Sequence, residues 1–247
     1  RGIMNGTSNY ILTKMKEDKL DFEEALHLAA EMGYAEADPS YDVDGIDAGH
    51  KIAILSSLAY GGYINFSEVY LQGIRDISLV DIFEAEKLGF SIKLIASSKI
   101  NEDKLVEISA EPILLKNEKL LSNVNDVYNA IEVTGSYTGK TLFYGKGAGM
   151  EPTASAVISD IVKIATDSVI NSNFFFDTKS HLETVDTNKL KHEFYIRTSK
   201  DFDLEASALE LYEEIDNYYI IIAENISRNE LDETFANVKE KLIIKII

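Results

Sequence analysis

The sequence predicts an α+β protein: a mixed β-sheet with helices packed on one face, followed by a small unit of βαβαβ pattern. Up to residue 89, apolar residues recur at helical spacing between recognisable caps. From 90 to 145 the period shortens and β-branched and aromatic residues nearly alternate, as in strands. All fourteen glycines lie at or before Gly149 and all three prolines at or before Pro152, so the composition changes there.

Residues 5–17 read as a helix opening on Asn5-Gly6-Thr7, with Tyr10, Ile11 and Met15 at its apolar positions. Residues 21–32 form a second helix. Its acidic first turn suits the macrodipole, and Gly33 is placed to cap it. Start signals at Asp42 to Gly45 open a third, over 43–60, which stops before Gly61-Gly62. A fourth covers 78–88 and ends at Gly89. Strands follow at 90–98, 104–115, 129–136 and 140–145, with a short helix at 121–128. Pro152 fits the first turn of a helix over 152–170 that is apolar on most of its circumference. Such a helix is expected to be buried, or to dock on another domain. Phe174-Phe175-Phe176 lies in the connection that follows. The last unit reads as strand 192–198, helix 203–215, strand 217–225, helix 229–242 and a final strand. It is short for an independent domain, so it should pack on the first unit or on its copy in a dimer.

With 247 residues and 45% hydrophobic content, the chain can bury a sizeable core. A formal net charge of −18 opposes a nucleic-acid partner and an anionic membrane surface. The absence of cysteine excludes disulfides and thiolate chemistry and is compatible with the cytoplasm. No apolar run reaches the roughly 18 residues of a membrane span, and no signal peptide is expected. The first residue is Arg1, which fits a piece of something longer.

The most informative stretch is GYAEADPSYDVDGIDAGHK, residues 33–51. It gathers five carboxylates (Glu36, Asp38, Asp42, Asp44, Asp47) and ends in Lys51 at the start of an apolar run. On a helix, Asp47 and Lys51 share a face. Three chemistries compete. A calcium loop would need a bidentate glutamate where Lys51 stands, and an ammonium cannot ligate a cation. A solvated acidic loop with a surface ion pair is the plain alternative. The third is a polar pocket in which carboxylates hold a substrate ammonium and hydroxyl while a partly buried lysine moves a proton. The four histidines show no metal-ligand spacing, so no metal is expected. YGKGAGMEPT (144–153) is a glycine-rich turn running into a helix N-terminus, suited to a phosphate or nicotinamide or simply to a tight turn. Its G-x-G-x-G spacing is not a dinucleotide fingerprint.

Taken together, GIMNGTSNYILTKM (2–15), GYAEADPSYDVDGIDAGHKIAIL (33–55) and GKGAGMEPTASAVISDIVKIA (145–165) resemble homoserine dehydrogenase, in family order. The resemblance covers about residues 1–180 and implies interconversion of L-aspartate 4-semialdehyde and L-homoserine with NAD or NADP, in threonine and methionine biosynthesis. It implies a cytoplasmic homodimer. It divides the chain into a catalytic/dimerisation domain (1–150), a helix returning to a nucleotide-binding domain (151–180) and an ACT-like, ferredoxin-like C-terminal domain (190–247). The family's N-terminal Rossmann domain, with a catalytic lysine of its own, falls before Arg1, so the chain alone is expected to be inactive. The resemblance places Glu36 and Tyr34 in the substrate pocket, Gly6 and Thr7 at substrate and nicotinamide, Asp42 and Asp47 on the substrate's polar groups, and Lys51 as proton donor and acceptor. It brings Gly147 and Gly149 to the cofactor. The loop after the first strand of the C-terminal unit, SKDFDLEA (199–206), lacks the glycine usual at ACT effector sites, which puts threonine feedback in doubt. An amino-acid-binding regulatory module and a purely structural dimerisation domain are the rival readings.

Overall fold

Helix α1 (Gly6–Glu17) starts where Asn5 accepts a hydrogen bond from the Ser8 amide, 2.8 Å away. A reciprocal Asp21–Glu24 capping box opens α2 (Phe22–Glu31), and the chain leaves it through Gly33, with the Tyr34 amide on the Ala29 carbonyl. The computed structural model describes residues 1–166, 177–205 and 209–247. The helix expected over 43–60 is α4 (Ile46–Tyr60), preceded by a separate single turn, α3 (Ser40–Val43), with Gly45 between them. α5 (Leu79–Lys87) follows.

These helices cover one face of a ten-stranded sheet. Its strands are β1 (Gly2–Ile3), β3 (Tyr70–Leu71), β4 (Phe90–Ile100), β5 (Val106–Lys116), β6 (Tyr128–Gly135), β7 (Gly139–Lys146), β9 (Lys191–Ser199), β10 (Leu211–Ile215), β11 (Tyr218–Ser227) and β12 (Lys241–Ile246). The spatial order is β10-β11-β9-β12-β5-β4-β1-β6-β7, with β3 also on β5. β12 and β3 run parallel to β5; the other pairs are antiparallel. A separate pair joins β2 (Gly62–Tyr63) and β8 (Asp177–His181). β4 and β5 are buried on both faces. Ile92, Leu94 and Ala96 meet the helices, while Ile95, Ile113 and Leu115 meet Leu121 and Val124 behind the sheet. The mixed sheet with helices on one side is the fold class the sequence predicts.

Several elements differ from the sequence reading. The segment at 121–128 is a 3₁₀ turn at Leu120–Asn123. Leu211–Ile215, expected at the end of a helix over 203–215, forms β10; residues 206–208 of that span lie outside the described residues. The turn Asp216-Asn217 between β10 and β11 holds Asp216 at φ 40°, so a two-residue hairpin wins over the helical propensity of the Ala, Leu and Glu residues before it. The last helix, α7 (Arg228–Thr234), stops well short of 242, because Lys241–Ile246 is claimed by pairing with β9 and β5. α6 (Met150–Thr166) begins ahead of Pro152, with the Thr153 amide bonded to the Gly149 carbonyl. Residues 167–170 of the expected helix and the triple phenylalanine lie outside the described residues. No residue of α6 is buried; Val157, Ile158, Ile161, Val162 and Ile164 are exposed.

A charged residue sits deep in the sheet. Lys93 on β4 donates to the Val124 carbonyl at 2.7 Å, Asn125 Oδ1 at 2.9 Å and Asn9 Oδ1 at 3.2 Å. Burial, helped by the charge of Lys16, lowers its pKa to about 7, against the opposing pull of Glu17 and Asp126. An unfolded lysine titrates near about 10.4. Between these values the unfolded chain binds the extra proton, so Lys93 makes stability rise with pH from about 7 to about 10. Urea unfolding across that window should show the rise in the wild type and a flatter profile in Lys93→Met. Parallel profiles would remove Lys93 as its source.

Candidate active site

Asn5 does more than cap α1. While its Oδ1 holds the Ser8 amide, its Nδ2 donates to Asp42 Oδ1 at 2.7 Å and to Asp47 Oδ2 at 2.9 Å. One amide thus ties two carboxylates, one from α3 and one from the first turn of α4. Lys51, one turn further along α4, donates to the same Asp47 Oδ2 at 2.7 Å and to the Met4 carbonyl at 2.9 Å. The Ser8 hydroxyl donates to the Asp42 carbonyl, and the Thr7 hydroxyl to the Tyr34 carbonyl, each at 2.8 Å. The Tyr34 ring meets Tyr10 edge-on. The N-termini of α1 and α4 and the loop between α2 and α3 therefore converge on one patch.

The glycine turn after β7 reaches this patch through Asn129. A Cβ on Gly147 would stand 2.0 Å from Asn129 Nδ2, so any larger residue there would displace the Asn129 side chain. Asn129 in turn donates to the Met4 carbonyl at 3.5 Å, the oxygen that also receives Lys51. Gly149 has φ +116°, a conformation that side chains rarely adopt.

Two of the five clustered acids, Asp42 and Asp47, form the centre. Burial raises the pKa of Asp42; the charges of Asp47 and Glu36 add to the rise, and the Asn5 hydrogen bond and Lys51 oppose it. Glu36 lies exposed at the rim. Asp38 accepts from the Ser40 amide at 3.1 Å, and that residue's hydrogen bonds hold its carboxyl below the usual range. Asp44 turns away to Arg75, whose Nε stands 2.5 Å from its Oδ1. Spacing along the chain cannot separate these fates, because the five acids stand on different elements: Glu36 and Asp38 before α3, Asp42 in it, Asp44 at its end and Asp47 in α4. The Lys51 side chain is 48% exposed, and its amine is held by two acceptors. A shallow groove along α2, lined by Glu23, Glu24, His27 and Glu31, involves none of these residues.

Asn5 and Asn129 carry much of this geometry and were missed as site residues in the sequence. Asn5 is visible there only as a helix cap, and Asn129 has no local signal at all. The arrangement suits a small zwitterionic ligand. Carboxylates can accept from an ammonium, and an amine beside them can exchange a proton. The free amides at the start of α1 and the glycine turn at 147–149 offer backbone approach to a larger anionic or planar group.

Comparison with known proteins identifies the family. The sequence profile of the homoserine dehydrogenase family matches residues 1–162. The chain is 49% identical over 166 residues to a homoserine dehydrogenase of Synechocystis, which covers 66% of this chain and 38% of that protein. A crystal structure of a homoserine dehydrogenase from Thiobacillus denitrificans superposes with a TM-score of 0.86 at 30% identity, covering all of this chain and 63% of that one. A hyperthermophilic archaeal homoserine dehydrogenase mutant in complex with NADPH aligns with 68% of this chain and 48% of its own, with a TM-score of 0.51 and 28% identity. The chain thus spans less than two thirds of these relatives.

Proposed function

Because the chain belongs to the homoserine dehydrogenase family of NAD(P)-using oxidoreductases, we propose that it is the catalytic and dimerisation portion of such an enzyme and interconverts L-aspartate 4-semialdehyde and L-homoserine. The observation that carries this is the Lys51 amine at 2.7 Å from Asp47, with Asn5 joining Asp47 to Asp42.

In this reading Lys51 takes the hydroxyl proton of homoserine as the carbon is oxidised and returns it in reduction. A cation beside the reacting oxygen also stabilises negative charge developing there. Asp42 and Asp47 face the substrate ammonium, Glu36 and Tyr34 complete the rim, and Gly6 and Thr7 lie where substrate and nicotinamide meet. The glycine turn fits a cofactor: Gly147 packs directly against the Asn129 side chain and Gly149 has a glycine-favoured φ. Bound NAD or NADP supplies the hydride chemistry. Among the described residues no strand–glycine turn–helix unit joins parallel strands, so we assign the rest of the nucleotide site to another part of the polypeptide. The exposed α6 is the element we assign to docking there.

The C-terminal strands lie in the order β10-β11-β9-β12, with α7 in the last crossover. That arrangement supports an ACT-like module used for packing. The exposed Val133, Phe143 and Tyr144 on the β6–β7 hairpin support a homodimer contact. No helix among the described residues is long and apolar enough to cross a membrane.

The test compares the 247-residue chain with the same chain fused to the dinucleotide-binding part of a relative. Homoserine-dependent reduction of NAD or NADP should appear only in the fusion. Activity of the chain alone would end the assignment of the nucleotide site elsewhere. A folded, silent fusion would end the proposed reaction.

A further inference from the structure

The segment from Tyr70 to Ile77 lies between the C-terminal unit and the acidic patch and is bonded to both. On one side, Arg228 of α7 donates to Gln72 Oε1 at 2.6 Å, and Gln72 Nε2 donates to the Ile243 carbonyl of β12 at 3.0 Å. Arg228 also donates to that Ile243 carbonyl, at 3.1 Å. Arg197 of β9 donates to the Asp76 carbonyl at 2.9 Å. On the other side, the Ile74 amide donates to the Val43 carbonyl at 2.8 Å, and Arg75 grips Asp44 and donates to the Ser40 hydroxyl at 3.0 Å. The backbones pack closely. A Cβ on Gly73 would stand 2.7 Å from the Val43 oxygen and 2.8 Å from Asp44 Cα. The segment thus holds Ser40, Val43 and Asp44, which flank Asp42 and lead through Gly45 into the turn that carries Asp47.

We propose that Gln72 and Arg228 are positioning residues, through which the C-terminal unit sets the placement of Asp42 and Asp47. Neither touches the patch. They act on the strap, and the strap fixes the backbone on which both carboxylates stand. Arg228 is nearly fully buried; its head group bonds Gln72 and Ile243 and lies over the rings of Tyr70 and Phe194. A buried guanidinium directed at one glutamine and one carbonyl fixes that glutamine in a single orientation. Gln72 then has its own amide on the Ala110 carbonyl, so its backbone is fixed against β5 as well. The first unit therefore does not hold its acidic loop alone; part of the hold comes from residues more than a hundred positions later in the chain.

Native-state hydrogen exchange on the 247-residue chain tests this directly. In Arg228→Met, and separately in Gln72→Ala, the amides of Ile74, Gly45 and Gly49 should exchange about tenfold faster, while those of Ala25 and Met32 in and after α2 keep their rates. Unchanged rates at 45, 49 and 74 would overturn the proposal. Equal acceleration in α2 would also overturn it, since both residues would then contribute only to global stability. A second readout deepens the proposed reaction and rests on it. In the fusion enzyme, both variants should raise KM for homoserine about tenfold with kcat within about twofold. A silent wild-type fusion would count against the reaction, while the exchange rates would still decide the strap.

Discussion

Lys51→Ala should lower kcat of the fusion enzyme by about a hundred- to ten-thousand-fold, the usual worth of a positioned acid–base group, with a much smaller change in KM for homoserine. Among the described residues the amine has two acceptors, Asp47 and the Met4 carbonyl, and its side chain is 48% exposed. An ammonium has three donors, so one remains to meet a substrate oxygen. Alanine removes that donor and leaves the Asn5–Asp42–Asp47 bonds intact, so the binding patch should survive. Lys51→Arg separates charge from proton transfer. Arginine keeps the positive charge but does not deprotonate in proteins, so it should restore little of the lost turnover. Normal turnover in the alanine variant would take Lys51 out of the chemistry. Recovery by arginine would reduce its role to charge alone.

Much of this was legible in the sequence where the signal is local. The acidic first turn of residues 21–32 marks the start of α2, and Gly33, Gly61 and Gly89 each follow a helix that ends where they stand. The four strands between 90 and 146 show their own composition and fall where it places them. The motif that ends in Lys51 led to the Asp47 pair because both residues lie one turn apart on α4. What sequence could not show was pairing across long separations. Nothing local tells that β12 runs parallel beside β5 or that Gln72 meets Arg228. The same limit hid Asn5, whose cap role is local but whose second bonds reach 37 and 42 positions along the chain. β10 was lost for a different reason. Its glutamates and leucine favour a helix in isolation, and only the edge of β11 turns them into a strand.

Arg197→Met should destabilise the chain by about 3–5 kcal/mol, the usual cost of stripping a buried carboxylate of its counter-ion. Asp81, in the first turn of α5, is fully buried. Its oxygens accept from Arg197 Nε at 2.9 and 3.1 Å, from the Tyr195 hydroxyl at 3.0 Å, and from the Ser78 amide and hydroxyl at 2.8 and 2.7 Å. Burial and the Asp81 charge hold the Tyr195 phenol well above its usual range, so it stays a donor. Methionine fills the volume of the arginine stem but leaves the carboxylate with neutral donors only. It also frees Asp76, and with it one anchor of the strap. At roughly 2–4 °C per kcal/mol for a chain of this size, Tm should fall by about 6–20 °C. The double variant Asp81→Asn/Arg197→Met separates charge from packing. With the orphaned charge gone, it should be more stable than Arg197→Met alone, a non-additivity of the kind that neighbouring partners show. A single-variant loss below about 1 kcal/mol, or a double variant whose cost equals the sum of the singles, would mean that the C-terminal unit is held to α5 by its apolar contacts and not by this buried pair.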